Sequence, residues 1–217
     1  MDVSPVSARL VAATIPGPAG PLEALLRLPP RPLGAAVVAH PDPLRGGTMH
    51  TKVVHRAARL LADAFGLAAL RFNFRGVGAS AGRYDGGTGE TDDLAAAAGW
   101  IRGLHPSGTF VLAGFSFGSI CALHAAPRIA PDVLFLIGVP IGRFPALPAV
   151  PPATRVFWIQ GADDEYGPAA TAETLAAERG WDLALVPDAD HFFTGHLPAF
   201  EAAAPRGLAR ATERSEP

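Results

Sequence analysis

Apolar residues in this chain gather into short, nearly unbroken runs separated by longer stretches of helical spacing. Residues 35–39, 67–74, 109–113, 133–138, 156–160 and 183–186 are such runs. Their length and lack of alternation predict strands covered on both faces, as in a parallel sheet. Between the first two, Val53, Val54, Ala57, Ala58, Leu61, Ala64 and Phe65 recur at helical spacing, and Gly66 closes the segment, which predicts a helix over 50–65. Further helices are predicted over 90–104, 119–126, 169–179 and 197–210. The first of these opens on Glu90, Asp92 and Asp93, acids that suit the positive end of a helix dipole. The beginning of the chain is different: residues 10–13 and 22–28 flank a turn-rich 16–21, which predicts a hairpin. Residues 76–89 read as a glycine-rich loop, 139–153 as a proline-rich connector, and 211–217 as a frayed tail.

Strands and helices alternating in this way specify an α/β fold: a three-layer sandwich around a mostly parallel sheet, preceded by an antiparallel hairpin. The connector 139–153 shows no helical pattern and is too short for an inserted cap domain. No internal repeat and no linker divides the chain, so a single domain over residues 1–217 is expected. A chain of 22.4 kDa can bury about 70% of its unfolded surface in one such core.

Composition narrows the possibilities. Hydrophobic residues make up 49% and charged residues 18%, which excludes a disordered chain. The formal net charge is −2 and no basic run exists to track phosphates, so a nucleic-acid partner is not expected. The lone cysteine, Cys121, cannot form an internal disulfide and reads as a small buried hydrophobe. The start, Met1-Asp2-Val3-Ser4-Pro5, is acidic and broken by proline, unlike a signal peptide. The apolar runs are too short to span a bilayer. The expectation is a cytoplasmic protein with no membrane partner; the sequence leaves the oligomeric state open.

Candidate chemistry centres on Gly114-Phe115-Ser116-Phe117-Gly118, set between the run 109–113 and the helical stretch 119–126. A Gly-x-Ser-x-Gly between strand and helix is the pattern of a nucleophile elbow, a strained turn that exposes the serine hydroxyl beside a helix N-terminus. A serine hydroxyl needs a base, and the base needs a carboxylate to fix its tautomer. Both follow at strand ends: Asp163, Asp164 and Glu165 after 156–160, and His191 after 183–186. His196 opens the last helix and reads as a surface or capping residue. The backbone N–H of Phe117, next after the serine, is one expected oxyanion donor. In the loop His40-Pro41-Asp42-Pro43-Leu44, the prolines have no N–H, which leaves Asp42 and Leu44 as candidates for the other.

With its elbow and antiparallel start, the chain resembles the α/β-hydrolase superfamily over nearly its whole length. Residues 40–54 and Arg71-Phe72-Asn73-Phe74-Arg75-Gly76-Val77-Gly78 are similar to a group of small bacterial lidless serine hydrolases. The resemblance selects Asp164 as the acid, three residues beyond the glycine that ends the strand, and Asp42 as the second oxyanion donor. That group more often carries His-Pro-His-Pro in this loop, so Asp42 is a departure, and its carboxylate would oppose catalysis unless it turns away. Leu44, Met49, Phe144 and Phe192 are candidates to line the acyl side of the pocket.

Other chemistries fit less well. Gly76-Val77-Gly78-Ala79-Ser80-Ala81 matches a dinucleotide fingerprint, but no helix follows until acidic residues 90–93. His50 and His55 are five apart rather than on one helical face, so neither a metal nor another cofactor is expected. Arg75 reads as the structural partner of a loop acid. The reading reached is a serine hydrolase acting on a small-molecule acyl substrate, a carboxylic ester first, with Ser116, His191 and Asp164 as its triad. A thioesterase with the same triad and a non-catalytic binding module are the alternatives; a complete triad argues against the second.

Overall fold

The computed structural model describes residues 8–144 and 146–212. Eight strands form one sheet: β1 (Arg9–Gly17), β2 (Gly20–Leu28), β3 (Gly34–Ala39), β4 (Leu67–Phe72), β5 (Thr109–Phe115), β6 (Val133–Ile137), β7 (Arg155–Gly161) and β8 (Asp182–Val186). Their spatial order is β1-β2-β4-β3-β5-β6-β7-β8. The pairs β1–β2 and β2–β4 are antiparallel, and every pairing from β4 through β8 is parallel. Helices α1 (Lys52–Asp63), α2 (Thr88–Leu104), α3 (Phe117–Ile129), α4 (Ala169–Arg179) and α5 (Leu197–Thr212) connect and cover the strands.

The unbroken apolar runs are explained by two cores, one on each side of the sheet. Ala35, Val37 and Ala39 of β3 pack into the core under α2, α3 and α4, while Ala36 and Val38 pack into the one under α1 and α5. Strands β5 and β6 divide the same way, with Leu112 and Leu134 on one side and Val111 and Phe135 on the other. Strand alternation sends successive side chains to opposite faces, so both sets must be apolar. Helix α1 buries Val53, Val54, Ala57, Ala58 and Leu61, the stripe visible in its sequence.

Element boundaries differ from sequence expectation where a side chain intervenes. The hairpin turn narrows to Pro18 and Ala19, because Pro16 and Pro21 face each other and the pairing runs on to Gly17 and Gly20. Strand β4 ends at Phe72, two residues early: the Phe74 N–H leaves the sheet and donates to His40 Nε2 at 3.0 Å. Helix α2 starts two residues early, at Thr88, because the Glu90 carboxylate accepts the N–H groups of Gly87 and Asp85 and so caps the first turn. Helix α1 is shorter than the span 50–65 at both ends. Helix α5 continues through Thr212; the rest of the expected frayed tail lies outside the described residues.

The connection 139–153 contains no helix among its described residues. Strand β3 is flanked by β4 on one side and β5 on the other, which makes the β3–β5 boundary the point where successive crossovers run in opposite directions. In open α/β sheets the crevice at the carboxyl ends of such strands receives ligands.

Candidate active site

Ser116 follows β5 directly and precedes the first residue of α3, with φ 55° and ψ −120°. Such a conformation is strained for a residue with a side chain, and its surroundings hold it in place. Its N–H donates to the Ile137 carbonyl at 2.9 Å, and its carbonyl accepts the N–H of Ser119 at 2.8 Å. The flanking glycines are sterically required. A Cβ on Gly114 would fall onto the Gly118 carbonyl, and one on Gly118 would stand 2.6 Å from the carbonyl oxygens of Ala39 and His40. The elbow thus closes against the end of β3.

Ser116 Oγ lies 2.8 Å from His191 Nε2, and His191 Nδ1 lies 2.8 Å from Asp164 Oδ2. Asp164 is buried and His191 is 2% exposed, while Ser116 is partly open. Of the three neighbouring acids, Asp163 and Glu165 are exposed. Asp164 Oδ1 accepts the N–H groups of Tyr166 at 2.8 Å and Gly167 at 3.0 Å, and Oδ2 accepts Gln160 Nε2 at 2.7 Å. A carboxylate held by this many donors is fixed in one orientation. The His191 ring is enclosed by Tyr166 and Phe192, edge-on at 4.7 and 5.1 Å, and by Phe115 at 5.3 Å. Phe193, the other aromatic beside it, is fully buried.

Gln160 was not singled out in the sequence. Besides Asp164 it donates to the Gly167 carbonyl at 2.9 Å, and its Oε1 accepts the Val139 N–H and Trp158 Nε1, each at 2.8 Å. It ties the acid loop to the end of β6. A glutamine closing an otherwise apolar strand was the available signal, since a polar group there must have buried partners. No buried side-chain nitrogen or oxygen among the described residues lacks one.

A cavity of about 380 Å³ opens over Ser116, lined among others by Asp42, Arg45, Tyr84, Phe117, Arg143 and Tyr166. Phe144 and Phe192 line it too. The other two expected lining residues lie elsewhere. Leu44 is 71% exposed and outside the cavity. Met49 is buried in the core, its N–H donating to Asn73 Oδ1 and its carbonyl accepting from Arg71. Proximity to the motif in sequence did not reveal which way these chains turn.

Two backbone N–H groups at the cavity, those of Phe117 and Asp42, donate to no other group of the described chain. The Leu44 N–H, the alternative donor, is engaged by Asp42 Oδ1 at 2.9 Å. The Asp42 carboxylate is therefore folded back into its own loop, where Arg45 also meets it at 3.5 Å. This relieves the conflict expected from an acid beside a developing oxyanion.

The remaining candidates have structural roles. Arg75 grips Asp93 of α2 through Nε and Nη2, at 3.0 and 2.8 Å, and Asp93 holds its guanidinium pKa up. The glycine-rich loop is thereby fastened to α2. Cys121 is buried, which pushes its thiol pKa up and leaves it protonated. His196 stands at the start of α5, its carbonyl accepting the Phe200 N–H. No cluster of three or more metal-ligating side chains occurs among the described residues, and none of the helices described is long and apolar enough to cross a membrane.

This sheet with a serine elbow at its switch point defines the α/β hydrolases, and in particular the serine hydrolases among them. Comparison with known proteins agrees. Residues 44–139 match the family model of the alpha/beta hydrolase fold. The chain is 32% identical over 181 residues to the uncharacterized protein RP471 of Rickettsia prowazekii, strain Madrid E, covering 77% of this chain and 75% of that one. The structure of XC6422 from Xanthomonas campestris, a serine hydrolase of this fold without a lid, superposes with a TM-score of 0.85 at 39% identity over 100% of both chains. A serine hydrolase homologue from Coxiella burnetii follows with a TM-score of 0.80 and 34% identity, over 88% of this chain and 94% of that one. The chain belongs to the alpha/beta hydrolase superfamily, as a small serine hydrolase with no inserted cap domain among the described residues.

Proposed function

We propose that the protein hydrolyses carboxylic esters through an acyl-enzyme on Ser116. The observation that carries this reading is the continuous hydrogen-bonded line Asp164–His191–Ser116, ending in an open cavity beside two unengaged N–H groups. Ser116 Oγ attacks the ester carbonyl while His191 Nε2 takes its proton, and Asp164 stabilises the resulting imidazolium through Nδ1–H. The N–H groups of Phe117 and Asp42 receive the oxyanion of the tetrahedral intermediate. Collapse expels the alcohol, which takes the proton from His191. Water then repeats the sequence, with His191 as base, and releases the acid.

The α3 N-terminus meets Ser116 and adds a positive dipole end where negative charge develops. The test is labelling with a serine-directed fluorophosphonate, followed by a panel of esters and thioesters of matched acyl chain. Wild type should be labelled at Ser116 and should turn over esters; Ser116→Ala, with its fold intact by circular dichroism, should do neither. Label on Ser80 or Ser119 would overturn the assignment, and turnover confined to thioesters would move the protein to the thioesterases.

A further inference from the structure

Positive charge exceeds negative at the wall of the cavity. Arg45 and Arg143 line it, opposed by the single lining carboxylate of Asp42. Arg45 and Asp42 pair with each other. Arg143 is different: no ion pair and no side-chain hydrogen bond among the described residues involves its guanidinium. Its Cζ lies instead 4.7 Å from the centroid of the Tyr166 ring, and Tyr166 lies 4.7 Å, edge-on, from the His191 ring. The cation is thus held one aromatic ring away from the imidazole that contacts Ser116. A guanidinium seated over an aromatic ring can keep N–H groups free for a planar, two-oxygen acceptor.

Elsewhere on the surface, an unpaired arginine needs no partner but water. Arg143 is exposed as well as lining the cavity, so a neutral group beside it offers the guanidinium no more than water does, whereas a carboxylate or phosphate would accept from it with charge assistance. The chain as a whole carries a formal charge of −2, so this positive wall is a local feature rather than an expression of overall charge.

We propose that the substrate bears an anionic group, a carboxylate or a phosphate-type group, that Arg143 binds while the ester carbonyl lies against Ser116. Arg143 is then a residue of specificity and takes no part in proton transfer. The proposal rests on the esterase reading above, and its test separates the two.

The experiment compares kcat/KM for three 4-nitrophenyl esters of matched chain length: the neutral pentanoate, the glutarate half-ester and the 4-phosphonobutanoate. Wild type is expected to favour at least one anionic ester over the neutral one by about tenfold or more, chiefly through KM, and to lose that preference as salt is raised. The favoured anion identifies which acceptor the site takes. In Arg143→Gln the anionic-to-neutral ratio should fall to near one, and Arg143→Lys should restore part of it. A wild-type ratio below threefold overturns the proposal. So does an equal loss on neutral and anionic esters in Arg143→Gln, because that is what mere support of Tyr166 would produce. Calorimetric binding of the same esters to Ser116→Ala gives an answer independent of turnover. An anion preference there that disappears in Ser116→Ala/Arg143→Gln sustains the inference even if no ester is hydrolysed; equal or undetectable binding of all three overturns it.

Discussion

Two buried histidines follow parallel strands at the same edge of the sheet, and only one of them can exchange a proton with a reactant. His40, after β3, is fully buried, and both its nitrogens face backbone groups: Nδ1 donates to the Pro41 carbonyl at 2.7 Å, and Nε2 accepts the Phe74 N–H at 3.0 Å. His191, after β8, has a carboxylate on Nδ1 and a hydroxyl on Nε2. A backbone N–H cannot surrender its proton, so His40 is fixed as the Nδ1–H tautomer and would lose its contact to Phe74 on protonation. A hydroxyl can donate, and the carboxylate opposite stabilises the charge that results. Burial is common to both. The partner on the second nitrogen decides which ring is a structural pin and which can act as a base.

The largest effect should come from breaking the reactive side of this comparison. His191→Ala is expected to lower kcat/KM for a 4-nitrophenyl ester by about 10⁴-fold or more, and Asp164→Asn by a similar order, since the triad acts as a unit. Asp163→Asn, exposed and outside the hydrogen-bonded line, should stay within a few-fold of wild type. A severe loss in Asp163→Asn with a mild one in Asp164→Asn would reverse the assignment of the acid.

His40 offers a thermodynamic test of the inert side. Burial lowers its pKa from an ordinary 6.5 to about 4. Below pH 6.5 the unfolded chain takes up a proton that the folded ring refuses, so stability falls as pH drops from 6.5 towards 4. The slope attributable to this ring approaches 1.4 kcal/mol per pH unit, for a total of about 3 kcal/mol. His55, whose pKa is also lowered by burial and by nearby arginines, adds to the same slope. The difference between wild type and His40→Gln therefore isolates His40. Urea unfolding between pH 6.5 and 5 should show a markedly shallower slope in the variant, and equal slopes would mean the ring is protonated in the fold.

The loop at Asp42, which His40 braces through the Pro41 carbonyl, should respond next. Asp42 has φ −48°, close to what proline requires, so Asp42→Pro removes the N–H without a large change of φ at that residue. Like Asp42→Ala, it also removes the carboxylate. The proline variant is expected to be about 10²-fold less active than the alanine variant, the usual effect of deleting one oxyanion donor. Equal activity of the two would exclude the Asp42 N–H from that role.

The order Ser116, Asp164, His191 was legible because each residue lies in the segment that follows a strand, and the carboxyl ends of parallel strands lie at the same end of the sheet. The sheet itself was legible because residues buried on both faces leave no polar alternation. What escaped the sequence is made by contacts that join distant segments. Tyr166 and Arg143 come from different loops and meet only through the packing of 139–153 over the acid loop, and Gln160 shows its function only once Asp164 and Val139 stand beside it. Met49 and Leu44 mark the opposite error. Both lie near Asp42 in sequence, yet one is drawn into the core by Asn73 and Arg71 while the other points to solvent.

The smallest expected effect belongs to Asp42→Asn, and it sharpens what the departure at this position means. The Asn side-chain oxygen can still accept the Leu44 N–H, and the backbone N–H of residue 42 is untouched, so both the loop and the proposed donor persist. Only the charge is lost, and with it the ion pair to Arg45, a partly exposed contact at 3.5 Å worth well under about 1 kcal/mol. For a neutral ester, kcat should hold or rise by no more than about threefold, because a carboxylate already turned into its own loop and paired to a cation exerts little field on the oxyanion. Freed from Asp42, Arg45 adds to the positive wall, so the ratio of anionic to neutral ester turnover should rise at low salt and return to the wild-type value at high salt. A sharp loss on the neutral ester would show that the carboxylate itself is needed to keep the loop in place. Its Leu44 contact would then be a support of the oxyanion site that an amide cannot replace.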